Sequence, residues 1–200
     1  MAVPIPQVVT GDRASGAQVI EGSLNFEGRL KQHLEWTPGS DGNKKTFTLS
    51  GWFKRTSFSR IVIMGVNNDI GSNEDGAEFD SDPVRFFSYV SNSFRFQLTS
   101  TRKFKDNAWY HLVFVLDTTQ GTASDRAKIY INGELEEGLA TATYPSQNQD
   151  AGFWNSQSVP HRLGISYTSY PWEGFMSQLY FVDGQALDAS YFGYTDELTN

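Results

Sequence analysis

Residues 109–135, which read WYHLVFVLDTTQGTASDRAKIYINGEL, carry the strongest structural signals in the sequence. Residues 112–116 are all apolar and are bounded by turn formers, which predicts a strand covered on both faces. Residues 126–132 alternate between polar and apolar side chains, which predicts a strand with one buried face. Asn132-Gly133 then favours a type I′ hairpin turn, because that turn needs φ > 0 at both central positions. Three antiparallel strands in one stretch indicate a sheet protein.

The composition is consistent with one all-β domain, and it excludes several classes of function. The chain has 200 residues, 38% of them hydrophobic, and it is rich in Phe, Tyr and Trp, which favour strands. A net charge of −7 without a basic run argues against a nucleic-acid partner. The absence of cysteine excludes disulfides, thiolate catalysis and zinc–sulfur sites. No apolar stretch reaches the length of a membrane span.

The domain organisation follows from a change in composition near residue 22. Residues 1–22 are rich in Pro, Gly and small polar residues, and we interpret them as an N-terminal arm or linker. Two roles stay open for this arm, a first edge strand packed on the sandwich or an attachment to another subunit. Residues 23–200 are interpreted as a single domain.

Further strand patterns recur along this domain, separated by turn signals. The predicted strands cover residues 45–54, 60–65, 84–90, 94–99, 161–167 and 173–182. Residues 187–192 predict one helical turn capped by Asp188, and residues 141–160 predict a long polar loop of the kind that is often functional or mobile. Many short strands with almost no helix predict an all-β fold, an antiparallel two-sheet jelly-roll sandwich.

The order of several segments resembles the concanavalin A-like superfamily, in particular its laminin-G/pentraxin-like branch. The segments are SLNFEG and HLEW within residues 23–36, FTLSGWFKR at 47–55, NAWYHLVFVLDTT at 107–119, AKIYINGEL at 127–135 and GFMSQLYFVDGQAL at 174–187. Together they cover roughly residues 23–192. The resemblance implies a concanavalin A-like sandwich and makes His111 and Asp117 family positions on a strand.

Three segments resemble the version of this domain in tail-fibre and other virion proteins of marine and cyanobacterial phages. They are SGWFKR at residues 50–55, YFVDGQALD at 180–188 and FGYTDE at 192–197. That resemblance implies a non-enzymatic structural or adhesion module on the surface of a phage particle, as a tail fibre or a capsid decoration. Its implied partners are other virion proteins, further copies of itself and host-surface glycans. A purely structural capsid or fibre subunit without a ligand is an alternative.

A glycoside hydrolase of the same fold is the other alternative. Hydrolases of this superfamily carry a Glu-x-Asp-x-x-Glu strand, and residues 78–83 read EFDSDP. Retaining hydrolysis needs two carboxylates about 5–5.5 Å apart across the sugar. Glu78 could supply one of them, but Pro83 stands where the acid/base would be, and Asp82 would face the other side of a strand. The sequence therefore favours a non-enzymatic protein.

Residues 67–82 form an acidic segment that could hold calcium. Calcium prefers six to eight oxygen ligands, and the candidate carboxylates are Asp69, Glu74, Asp75 and Asp80. No Asp-x-Asp-x-Asp-Gly loop is present. The alternative interpretation, a solvated acidic loop, is favoured.

Four aromatic residues are predicted to lie in loops, where binding residues concentrate. Phe153 and Trp154 belong to the long polar loop, and Tyr170 and Trp172 to a second loop before the last strand. They are candidates for stacking on sugar rings. The alternative is that they cover the edge of the sandwich or pack on a neighbouring subunit.

Overall fold

In the computed structural model, residues 22–68 and 73–193 are described, and they form thirteen β-strands. The strands are β1 Leu24–Phe26, β2 Leu34–Trp36, β3 Thr46–Arg55, β4 Ile61–Val66, β5 Glu74–Phe79, β6 Val84–Val90, β7 Ser93–Ser100, β8 Tyr110–Asp117, β9 Ala127–Ile131, β10 Glu134–Leu135, β11 Leu139–Thr143, β12 His161–Leu163 and β13 Gly174–Asp183. Three one-turn 3₁₀ helices cover Gly28–Leu30, Ala123–Asp125 and Ala189–Tyr191. The arm predicted for residues 1–22 lies outside the described residues except for Gly22.

The strands form two antiparallel sheets that pack face to face. The six-stranded sheet has the order β1-β13-β3-β8-β9-β10, and the seven-stranded sheet has the order β11-β7-β6-β5-β4-β12-β2. The predicted all-β, antiparallel two-sheet jelly-roll sandwich is therefore confirmed. Among the described residues, no helix is long and apolar enough to cross a membrane.

The stretch around residues 109–135 forms three neighbouring strands of the six-stranded sheet, as predicted. Leu112 pairs with Ile131 and Phe114 with Ile129, so apolar side chains from β8 and β9 enter the core side by side. Asn132 has φ 52° and Gly133 has φ 88°, the positive values that a type I′ turn needs. The dipeptide thus sets the β9–β10 register.

The outer face of the six-stranded sheet is partly covered by the chain that follows β13. The hydroxyl of Thr48 on β3 donates to the carbonyl of Gln185 at 2.9 Å and accepts the N–H of Leu187 at 2.9 Å. The helical turn Ala189–Tyr191 begins at Asp188, whose side chain accepts the N–H of Ser190. This confirms the predicted cap.

The long loop predicted for residues 141–160 is shorter than expected, because Leu139–Thr143 forms the edge strand β11 along β7. Alternating Ala and Thr side chains are small, so they give a weak strand signal that the pairing partner has to complete. The rest of the loop is tied to residues 38–44. The N–H of Gly42 donates to the carbonyl of Asn155, and that of Ala151 to the carbonyl of Lys44, both at 2.8 Å.

Aromatic rings fill the space between the sheets. Phe47 from the six-stranded sheet lies 6.3 Å from Phe86 of the seven-stranded sheet, measured between ring centroids. The indole of Trp154 lies 5.0 Å from Phe47 and stacks on Phe181 at 5.9 Å. Most of the aromatic composition therefore serves the core, because flat rings fill a sandwich interior of about 10 Å thickness well.

Candidate functional site

The outer face of the seven-stranded sheet carries a short aromatic loop between β12 and β13, residues 165–171, which we call the tyrosine loop. Ser166 and Ser169 exchange backbone hydrogen bonds of 3.1 and 2.8 Å, which close a two-residue turn. The carbonyl of Tyr170 accepts the N–H of Val62 on β4 at 2.9 Å. The loop is thus fastened to the sheet beneath it.

Gly65 on β4 makes this close approach possible. A Cβ atom at residue 65 would lie 2.8 Å from the carbonyl oxygen of Ile165 and 2.9 Å from the Cα of Ser166. Both are backbone atoms that a side-chain rotation cannot move, so only glycine fits under the loop.

Two tyrosines of the loop have left-handed backbone conformations and point their rings towards solvent. Tyr167 has φ 51° and is 51% exposed, and Tyr170 has φ 54° and is 43% exposed. Residues other than glycine adopt such φ values rarely, and here the tight turn between Ser166 and Ser169 imposes the value at Tyr167. Thr168 and Ser169 between them are also exposed.

An arginine supports the ring of Tyr170 from below. The guanidinium carbon of Arg60 lies 3.9 Å from the ring centroid of Tyr170. Arg60 is held in turn by Glu78 on β5, because its Nε donates to both carboxylate oxygens at 3.1 and 3.0 Å. One face of the tyrosine is therefore fixed by a cation–π contact, which leaves the other face for a ligand.

Glu78 is the buried centre of this cluster. Its side chain is fully buried and also accepts from Arg85 on β6, with Nε at 2.7 Å. Burial raises the pKa of Glu78, and the charges of Arg85 and Arg60 act against that rise. Arg85 packs over the ring of Phe87, 4.7 Å from its centroid, and pairs with Asp80 at 3.3 Å.

A second arginine–tyrosine pair lies on the other side of the loop. The guanidinium of Arg162 on β12 is 5.8 Å from the ring centroid of Tyr167. Arg162 donates to Glu35 on the edge strand β2 at 2.7 Å and to the side-chain oxygen of Asn67 at 3.0 Å. The loop thus presents two tyrosines, each next to an arginine that is held by an acidic partner.

Two of the four predicted sugar-stacking aromatics lie in a different place from the one expected. Trp154 and Trp172 are fully buried and belong to the core, so neither ring presents a face to a ligand. Their rings point inwards and fill part of the space between the two sheets, which is wide enough for large aromatic side chains. Phe153 is half-buried against the same core. Of the four, Tyr170 alone stands in solvent.

The predicted calcium ligands are not brought together. Asp69 lies outside the described residues. Glu74 pairs with Arg60 at 3.7 Å, Asp80 pairs with Arg85, and Asp75 points to the interior and accepts the N–H groups of residues 153 and 154. Within residues 22–68 and 73–193, no three acidic, His or Cys side chains form a group that could hold a metal ion.

The segment compared with a hydrolase motif spans a strand and a turn. Glu78 lies on β5, whereas the N–H of Asp80 donates to the carbonyl of Pro83 at 2.8 Å across the β5–β6 connection. Asp82 accepts the N–H of Phe104 at 3.1 Å and pairs with Arg55. Each of these carboxylates is already engaged within the fold.

His111, the family position on β8, lies 3.0 Å from the hydroxyl of Ser50 through its Nε2. Such a pair could suggest a nucleophile and its base. Ser50 is fully buried, however, and burial lowers the pKa of His111. The pair is therefore a link between β3 and β8.

Sequence reasoning missed Tyr167 and the three arginines of the site. Arg60 and Arg85 are 25 positions apart in the chain, and Arg85 and Arg162 are 77 positions apart. Only the pairing of β4 with β5 and β12, and of β5 with β6, brings them to one face. Arg85 in β6 and Arg162 in β12 alternate with apolar residues, and this alternation was the one sequence signal that their side chains share the outer face of the sheet.

A model of the Laminin_G_3 family, described as concanavalin A-like lectin/glucanases superfamily, matches residues 27–190. The chain belongs to this superfamily, and within it to the Laminin_G_3 family. No curated protein matches the sequence.

Solved structures with the same fold include laminin, pentraxin and CBM40 domains. The LG1-3 region of the laminin alpha2 chain is 14% identical with a TM-score of 0.59, over 83% of this chain and 32% of that one. A CBM40 domain of the Ruminococcus gnavus IT-sialidase, bound to α2,3-sialyllactose, is 14% identical with a TM-score of 0.55, over 80% and 95%. A heptameric SAP-like pentraxin from Limulus polyphemus is 17% identical with a TM-score of 0.53, over 84% and 73%.

Proposed function

We propose that this chain is a non-enzymatic binding module of a phage particle that recognises host-surface glycans. The observation that carries the glycan proposal is the ring of Tyr170, fixed on one face by Arg60 and open to solvent on the other. A sugar can stack its C–H face on a preorganised ring without the cost of ordering a mobile side chain. The CBM40 domain bound to sialyllactose supports the proposal, because it uses the same fold to hold a glycan.

The non-enzymatic part of the proposal is supported by the state of Glu78. A nucleophile or acid/base must touch the glycosidic bond, and the carboxylate of Glu78 is instead enclosed by Arg60 and Arg85. Pro83 supplies no second carboxylate where the hydrolase motif would need one. A reducing-sugar assay on β-glucans tests this part. Turnover that disappears in Glu78→Gln would overturn it.

The virion part of the proposal rests on the resemblance of residues 50–55, 180–188 and 192–197 to phage virion proteins. It is tested by sedimentation of the purified chain with phage particles, followed by detection in the pellet. Binding that is saturable and competed by unlabelled chain is the expected result. A chain that stays in the supernatant at every particle concentration would contradict a virion partner.

A glycan array tests the binding site. Wild-type chain is expected to bind a subset of glycans, and Tyr170→Ala to weaken that binding by roughly 10-fold, since one aromatic contact contributes about 1 to 1.5 kcal/mol. Tyr191→Ala is the matched control, because Tyr191 is 69% exposed on another surface. Equal binding by the two variants would place the site elsewhere.

An assembly subunit without a ligand is the second candidate function, and the edge next to β1 and β2 favours it. Four large apolar side chains are exposed within thirteen residues there, namely Leu24, Leu30, Leu34 and Trp36, at 40–55%. Strands β1 and β2 also end the two sheets, and open edges can pair with another chain. A second copy of this chain is the occupant we propose, in line with the heptameric state of the pentraxin neighbour.

Light scattering after size-exclusion chromatography tests this candidate. Self-association is expected, and Leu34→Lys is expected to reduce it, because a charge at the edge opposes burial. Leu135→Lys is the control, since Leu135 is 43% exposed on β10 at the opposite edge. A monomer at all concentrations would exclude assembly through this edge.

A further inference from the structure

The charges around the tyrosine loop indicate which class of glycan the site takes, on the condition that the proposed glycan function holds. Each nearby arginine already pairs with a carboxylate. The pairs are Arg60 with Glu78 and Glu74, Arg85 with Glu78 and Asp80, and Arg162 with Glu35. Among residues 22–68 and 73–193, three positive charges therefore stand against four negative ones in this cluster, in a chain whose net charge is −7.

An acidic sugar would have to compete with these carboxylates for the arginines. Glu78 cannot be displaced cheaply, because it is fully buried, and moving its guanidinium partners away would leave a buried charge unpaired. Glu35 is 42% exposed in its side chain and stands beside Arg162 at 2.7 Å. A carboxylate or sulfate approaching Tyr167 from solvent would meet this negative charge.

The groups that the loop offers to solvent are uncharged. Residues 167–170 read Tyr-Thr-Ser-Tyr, and all four are exposed. The two rings supply apolar faces, and the two hydroxyls between them can donate to and accept from sugar hydroxyls. Arg162 is buried and Arg60 has 24% of its side chain exposed, and each is already paired with a carboxylate, so neither presents an unpaired cation to the ligand.

We infer that the tyrosine loop binds a neutral oligosaccharide and discriminates against sialylated or sulfated forms of the same glycan. Arg60 and Arg162 act as positioning residues for Tyr170 and Tyr167 and do not serve as anion receptors. This assignment differs from what the shared fold with a sialyllactose-bound CBM40 domain would suggest.

The test uses matched pairs of probes, lactose and N-acetyllactosamine oligosaccharides with and without a terminal sialic acid or sulfate, together with neutral β-glucan oligosaccharides. Binding is measured at ionic strengths of about 0.01 M and about 1 M, where the Debye length is about 30 Å and about 3 Å. We expect a neutral probe to bind with less than about twofold dependence on salt, and its acidic form to bind about 10-fold more weakly at low salt.

The variant Glu35→Gln distinguishes an effect of the negative charge at residue 35 from an effect of the shape of the site. It removes one negative charge at an exposed position, so we expect it to strengthen binding of the acidic form by a few-fold at low salt and to leave the neutral probe unchanged. Tighter binding of the acidic form by the wild-type chain would overturn the inference and leave the glycan function intact. Absence of binding to every probe would overturn both.

Discussion

The carboxylate of Asp75 on β5 accepts the backbone N–H of Trp154 at 2.9 Å and that of Phe153 at 2.5 Å. One acidic side chain thus holds the loop that inserts the Trp154 ring into the core. Asp75 is fully buried, and burial raises the pKa of its carboxyl to about 6. A residue considered as a calcium ligand on sequence grounds is a loop anchor.

The raised pKa predicts a pH dependence of stability. Because the folded value lies above the unfolded value of 3.8, the contribution of Asp75 is full below about pH 4 and is lost as pH rises through about 6. The loss amounts to up to about 3 kcal/mol. Asp75→Asn should remove this slope, so urea unfolding of both proteins between pH 4 and 8 should show a difference that changes over the same range.

A difference that is constant with pH would contradict the assignment of the slope to Asp75. Asp75→Ala serves as the control for geometry. It loses both acceptor oxygens, so it should be less stable than Asp75→Asn at every pH, because two buried N–H groups are left without partners.

The second prediction compares how Trp154 in the core and Tyr170 at the surface contribute to the free energy of unfolding. Trp154→Ala should lower the free energy of unfolding by about 3 to 5 kcal/mol, since it leaves a large cavity beside Phe47. Tyr170→Ala should lower it by less than about 1 kcal/mol, because the residue is 43% exposed and lies outside the core. Chemical unfolding measures both values.

Glycan binding should show the reverse order for these two positions. Trp154→Phe keeps an apolar ring in the core and should bind as the wild-type chain does, whereas Tyr170→Ala should not. Weakened binding in a folded Trp154→Phe protein would contradict the placement of the site on the tyrosine loop.

The buried arginine at the end of β3 gives a third prediction. Arg55 donates to the carbonyl of Phe104 at 2.8 Å, pairs with Asp106 at 3.1 Å and packs over the ring of Phe79. Arg55→Ala should cost about 3 to 5 kcal/mol of stability, because carboxylate and carbonyl partners lose their cation. Arg55→Lys should recover only part, since an ammonium lacks the planar fork.

Thermal and urea unfolding measure these changes, with Arg29→Ala as the control. Arg29 is exposed, and its removal should change stability by no more than about 0.5 kcal/mol. Full recovery by lysine at residue 55 would show that charge alone matters there.

The closing VDG segment gives a fourth prediction. Asp183 accepts the N–H of Asn43 at 2.8 Å and the side-chain amide of Asn155 at 2.9 Å, so it joins two loops to the end of β13. Asp183→Ala should lower stability by about 1 to 2 kcal/mol. It should also speed amide hydrogen exchange at Asn43, as measured by NMR.

Asp183→Asn retains an acceptor oxygen and should exchange at a rate between those of the wild-type and alanine proteins. Unchanged protection of the Asn43 amide in Asp183→Ala would mean that other bonds hold this junction.

Strand content and turns could be predicted from local pattern, because their causes are local. The apolar run of β8, the alternation in β9 and the positive φ of Asn132 and Gly133 each depend on a few neighbouring residues. The edge strand β11 was missed, because its alternating Ala and Thr residues differ little in hydrophobicity. Its position also depends on pairing with β7.

The amino-acid sequence by itself determined an antiparallel sandwich and its hairpins, because the burial of alternate residues and the turn signals depend on residues adjacent in the chain. The family followed from the resemblance of several segments in their order along the chain. Only the tertiary structure decided which aromatics face water. Trp154 and Trp172 lie in loops, as expected, but enter the core, whereas Tyr170 rests on an arginine that is 110 positions away in the chain. Exposure and charge pairing are set by contacts between distant strands, so the candidate site appears only when the two sheets are assembled.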